Sequence, residues 1–112
     1  FKDLPGITLN PNQQDSRPTH WLYTILLPEN TSLEKRKTFI EDLNKNGIGS
    51  RPLWHPIHAL PPYSDCQSYQ VEAASDIYGR AVSLPSSVGL TNHDQQKCID
   101  VFKQLFKSIE AR

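Results

Sequence analysis

Four of the nine prolines fall within eleven residues, in the stretch GIGSRPLWHPIHALPPY at positions 47–63. Proline lacks a backbone donor and its ring collides with the preceding helical turn, so Pro52, Pro56, Pro61 and Pro62 exclude a helix there. The middle of the chain is therefore strand or irregular, and any helices lie on either side of it. The same stretch carries an arginine, a tryptophan, two histidines and a tyrosine. Recognition chemistry is concentrated where the backbone is stiffest.

The flanks are easier to read. WLYTILL at 21–27 is β-branched, aromatic and apolar at nearly every position, and Pro28 ends it. That is the pattern of a central strand covered on both faces. The next segment predicts a helix. Thr31 and Glu34 have capping-box spacing, Leu33, Phe39, Ile40 and Leu43 form an apolar stripe, and Gly47 can take the left-handed cap. Gly49 then permits a turn. Residues 71–79 predict a short helix with Val71, Ala74, Ile77 and Tyr78 on one side, and AVSL at 81–84 a short strand closed by Pro85. A last helix follows Thr91, which with Asp94 can cap its first turn, and Cys98, Val101, Phe102, Leu105 and Ile109 give it one apolar stripe. The order implies an α+β fold: a small, mainly antiparallel β-sheet with helices packed on one face. Residues 1–20 are rich in Pro, Asn, Gln and Asp without a period and read as an extended lead-in, leaving 21–112 as one small domain.

Charge narrows the partners. Twelve basic residues balance twelve acidic ones, which argues against nucleic acid or an anionic membrane as the main partner. The run Lys35-Arg36-Lys37 reads as a solvated helix face. Two cysteines, Cys66 and Cys98, make no disulfide framework, and no apolar run approaches the roughly 20 residues needed to cross a bilayer. A reduced, cytoplasmic protein is the expectation. The sequence contains no methionine and begins at Phe1, so it reads as a piece of something longer.

Familiar catalytic patterns are missing. GIGS runs into Arg51 without the second glycine of a nucleophile elbow. His55 and His58 stand three apart off a helix, with Cys66 eight further on, which is short of the four clipped ligands of a structural zinc site. The glycines at 47 and 49 follow a helix rather than lead into one, which is the wrong end for binding phosphate. What remains is a ligand wall. Arg51 offers a rigid donor fork for carboxylate or phosphate, Trp54 and Tyr63 offer flat faces for a sugar or base, and His58 can donate or accept. A stiff loop whose aromatics merely pack on the sheet fits the same residues.

Taken in order, WLYTILL, NGIGS, Arg51-Pro52, Pro56-Ile57-His58, Tyr63, Leu84-Pro85 and the helix after Thr91 resemble the C-terminal segment of the DegT/StrS-type sugar aminotransferases. The resemblance runs from about residue 4 to residue 106. It implies fold type I, and pyridoxal phosphate (PLP) as the cofactor that aminates nucleotide-linked 4-keto-6-deoxy sugars. RPLW and SLPSSVGL look most like members acting on UDP- or GDP-linked amino sugars, such as the bacillosamine, legionaminate-pathway and perosamine aminotransferases.

The resemblance also implies that this chain lacks the larger N-terminal domain, with its Schiff-base lysine and phosphate-binding residues. Lys2, Lys35, Lys37, Lys45, Lys97, Lys103 and Lys107 occupy the lead-in or polar helix positions, so the chain is not expected to bind the cofactor covalently. Arg51, His58, Trp54 and Tyr63 are carried over as substrate-binding residues of a sugar-pocket wall facing the absent domain. His55 is less typical of the family and receives no role; no catalytic, cofactor or metal residue is assigned. The implied partners are the N-terminal domain, a nucleotide-sugar and further copies of the chain, since an uncovered domain face favours self-association. A free-standing carbohydrate- or peptide-binding module is the alternative.

Overall fold

A computed structural model describes residues 1–11 and 14–110; positions 12–13 of the expected lead-in and 111–112 of the expected domain lie outside the described residues. The fold is α+β. Strands β1 (Tyr23–Leu26), β2 (Arg51–Pro52) and β3 (Ala81–Leu84) form an antiparallel sheet in the order β1-β3-β2. Helices α1 (Leu33–Lys45) and α3 (Asn92–Glu110) supply the other half of the core, and α2 (Glu72–Arg80) lies against α1.

Ile25, Leu27, Val82 and Leu84 of the sheet region meet Phe39, Ile40 and Leu43 of α1 and Cys98, Phe102 and Phe106 of α3. Phe39 and Phe102 pack edge to face, their centroids 4.9 Å apart, so the two helices are joined through aromatic rings. Phe1, Leu4, Ile7 and Leu9 also lie on this core, and Thr8 bridges Leu26, so part of the expected lead-in is packed against the domain.

Three expectations need correction. The sheet's central strand is β3, all four residues of which are buried, whereas WLYTILL yields only the short β1, at one side of the sheet. Apolar character alone cannot rank strands by position, and Trp21 and Leu22 are exposed. The cap of α1 is Ser32, whose Oγ accepts from the Lys35 amide at 3.2 Å. Thr31 instead donates its own amide to Pro28 in the preceding turn, and Glu34 pairs with Lys37. Finally, Arg36 is not on a solvated face: it is 2% exposed. It lies three and four residues before Phe39 and Ile40, which places it on the core stripe while Lys35 and Lys37 point outward.

The exit from α1 positions everything that follows. Gly47 takes φ +79°, its amide bonds Asn44, and the Ile48 amide reaches back to Leu43. This is a Schellman cap, completed by contact between the buried Leu43 and Ile48. Gly49 has no left-handed φ, so the turn there does not require glycine. The Asn44 side chain then grips Ser50 twice, donating to its carbonyl and accepting from its amide, both at 3.0 Å. The chain is thereby aimed into β2, where Arg51 opposes Ser83 and Pro52 opposes Val82. Pro52 is tolerated because β2 is a sheet edge.

Candidate functional site

Beyond β2, residues 53–63 form an irregular stretch with two single 3-10 turns, Ile57–Ala59 and Pro61–Tyr63. The prolines exclude an α-helix as expected. They nonetheless admit these short turns, because Pro56 precedes the first and Pro61 and Pro62 open the second, where no amide is needed.

Each of the four expected site residues retains a face toward solvent. Arg51 is exposed on β2. Trp54 is 75% exposed and meets Trp21, itself 71% exposed, edge to face at 6.0 Å. Tyr63 is 47% exposed at the end of the second 3-10 turn. His58 is half-buried, its Nε2 3.2 Å from Ser75 Oγ on α2. Among the described residues, no hydrogen bond or ring contact links any two of the four directly. They share a strip of backbone rather than a closed constellation.

Concavities lie elsewhere on the surface. One of about 290 Å³ runs between Pro5-Gly6, Thr31 and Phe106; another of about 560 Å³ is lined by Phe1, His20, Tyr23, Leu90 and Cys98. Neither includes Arg51, Trp54, His58 or Tyr63. The aromatic strip is open surface, unlike the enclosed clefts that hold small ligands.

Several contacts around the strip were not legible beforehand. The Tyr78 hydroxyl lies 2.9 Å from His55 Nε2, with the rings 4.6 Å apart, so His55 is held by α2. Beneath, the Arg36 guanidinium sits 4.9 Å over the Tyr78 ring, and its Nε and Nη1 are buried without a partner among the described residues. Ser75 and Tyr78 stand three apart on α2, a spacing that puts them on one helix face and could have suggested a shared role. Trp21 was hidden by its place in an apolar run.

The local electrostatics secure α2. Arg80 binds Asp76 through three nitrogen–oxygen contacts of 2.7–3.1 Å and donates from Nη1 to the Leu27 carbonyl at 3.1 Å. The hydrogen bond from Arg80 holds the Asp76 carboxyl below the ordinary carboxylate range. At α3, the Thr91 hydroxyl accepts from the Asp94 amide and donates to its carboxylate, lowering the Asp94 pKa. Burial pushes the Cys98 thiol up, away from the reactive thiolate. Cys66 is exposed, and both cysteines are free. Among the described residues, no group of three His, Cys, Asp or Glu side chains could hold a metal, and no helix is long and apolar enough to cross a membrane.

Comparison with known proteins agrees with this architecture. The DegT/DnrJ/EryC1/StrS aminotransferase family matches residues 1–103. The chain is 35% identical over 89 residues to the GDP-perosamine synthase of Caulobacter vibrioides, spanning 80% of this chain and 24% of that one. It is 28% identical over 112 residues to the GDP-perosamine synthase of Vibrio cholerae, spanning 96% of this chain and 30% of the relative. Among solved structures it overlays on Helicobacter pylori PseC, an aminotransferase involved in the biosynthesis of pseudoaminic acid. That overlay has a TM-score of 0.83 at 26% identity and covers 96% of this chain and 29% of PseC. The chain thus spans less than a third of the length of these relatives, and it belongs to the DegT/DnrJ/EryC1/StrS aminotransferase family.

Proposed function

We propose that this chain is the C-terminal portion of a PLP-dependent aminotransferase acting on a nucleotide-linked 4-keto-6-deoxy sugar, and that residues 51–63 form one wall of its sugar pocket. The observation that carries this reading is the open strip itself. A guanidinium, two large rings and an imidazole are presented by a stiffened backbone, the first three exposed and the imidazole half-buried against Ser75. Large exposed aromatics mark surfaces that meet something. A wall already held in shape loses little entropy when it does.

In this reading Arg51 contacts the substrate's anionic groups, Trp54 and Tyr63 pack against sugar or base, and His58 hydrogen-bonds the sugar. The facing half of the pocket, the Schiff-base lysine and the phosphate-binding residues lie on a larger N-terminal domain. The bound cofactor supplies the electron sink for amino transfer. The seven lysines, all exposed or half-buried and with Lys37 and Lys45 ion-paired to Glu34 and Asp42, support placing the covalent site outside this chain.

The test is a chimera in which this chain replaces the matching segment of the Caulobacter GDP-perosamine synthase. The chimera is expected to form GDP-perosamine. Arg51→Ala is expected to raise KM for the sugar substrate about 10-fold or more, the worth of a lost charge-assisted hydrogen bond, with kcat little changed. An active chimera in which Arg51→Ala and His58→Ala both leave KM untouched would sink the pocket-wall assignment.

A further inference from the structure

We infer that Ser75 is a positioning residue that fixes His58 as an acceptor at Nδ1, so that the group His58 recognises is a hydrogen-bond donor, a hydroxyl or an ammonium, and not a phosphate oxygen. The inference rests on the proposal that His58 faces the sugar, and it deepens that proposal.

Ser75 Oγ carries a single hydrogen. It lies 3.2 Å from the Val71 carbonyl oxygen, which can only accept and which also takes the Ser75 amide at 3.1 Å. The same oxygen lies 3.2 Å from His58 Nε2. Both contacts are hydrogen bonds in one arrangement alone, with the hydroxyl donating to Val71 and accepting from the ring. Nε2 therefore carries the hydrogen, and in the neutral imidazole Nδ1 keeps the free lone pair. Arg51, by contrast, has donors only. Along the strip the roles divide: Arg51 suits anionic oxygens and His58 suits hydroxyl or amino hydrogens.

The helix that carries Ser75 is itself fixed. Three residues on, Tyr78 engages His55, again through Nε2. Arg80 then ties the helix end to the Leu27 carbonyl. Ser75 touches no ligand; it acts through the ring it orients.

The experiment is long-range 15N–1H correlation of the 112-residue chain with 15N-labelled histidine, at a pH where the rings are neutral. His58 is expected to show a protonated Nε2 and an unprotonated Nδ1, with the Nε2 hydrogen visible through slow exchange. Ser75→Ala is expected to bring His58 to the rapidly exchanging mixture of free histidine and Ser75→Thr to restore the single form, while His55, held by Tyr78, stays unchanged as the check on folding. A wild-type His58 protonated at Nδ1, or a Ser75→Ala spectrum identical to wild type, overturns the inference. The measurement contains no sugar, so its failure is distinct from failure of the pocket assignment, which the chimera's KM values report.

Discussion

Replacing Gly47 and Gly49 by alanine, one at a time, separates backbone strain from every other effect of filling a glycine. A Cβ added at either position meets no atom within 4 Å, so neither substitution clashes. They differ in the backbone alone. Gly47 sits at φ +79° as the residue that closes the α1 cap, and Gly49 does not take a left-handed φ. An L-residue forced left-handed costs about 1–2 kcal/mol. Both alanines also restrict the unfolded chain, which stabilises by about 0.4–1 kcal/mol. Gly49→Ala is therefore expected to be slightly more stable than wild type and Gly47→Ala less stable by about 0.5–1 kcal/mol. The gap between them, about 1–2 kcal/mol, is the left-handed penalty itself. Urea unfolding followed by far-UV circular dichroism reads both, with unchanged m-values as the sign that only stability moved. Gly47→Asn, which tolerates this conformation, is expected to recover part of the loss. Equal stability of the two alanine variants would refute the claim that the exit from α1 depends on a left-handed residue.

Two further substitutions probe charge. Arg36→Met removes two buried donors that have no partner, each costing about 1–3 kcal/mol, and gives up a cation–π contact of about 0.5–2 kcal/mol over Tyr78. A gain of about 1 kcal/mol or more in unfolding free energy is expected, and a lowered urea midpoint would mean that the guanidinium has acceptors after all. Asp76→Asn addresses acid sensitivity. The Asp76 pKa is lowered in the fold by Arg80, so its contribution is complete above the unfolded carboxylate value of about 3.9 and disappears as the pH falls through the lower, folded value. The variant is expected to be less stable at neutral pH with a shallower loss of stability in acid; an acid limb as steep as that of wild type would count against the pair.

The elements that the sequence announced clearly were those with local signals. The stripe of α3, its Thr91-Asp94 cap and the Gly47 exit from α1 depend on residues within a few positions of one another, and all are present. Apart from the α1 cap, which falls one residue later at Ser32, what eluded the sequence was set by contacts between distant segments. Arg36 looked solvated beside two lysines, and only the meeting of α1 with α2 shows its stem and guanidinium covered. The aromatic run ending at Leu27 looked like the sheet's centre. In the structure the central place goes to Ala81-Val82-Ser83-Leu84, four small or mid-sized residues between two partners. For the strip at 51–63, stiffness and residue types were visible. The anchoring of His58 by Ser75 and of His55 by Tyr78 spans 17 and 23 residues and left no periodic trace.

Neither margin of the sheet offers a long free edge. On the β2 side the chain offers two residues, one of them Pro52, which has no amide to give. On the β1 side Thr8 already exchanges hydrogen bonds with Leu26 in both directions, at 3.0 and 2.9 Å. Polypeptide approaching this chain, another copy included, finds little free ladder to extend and must dock through side chains. What the chain exposes most prominently is residue identity, as at the tryptophan pair, and not unpaired backbone.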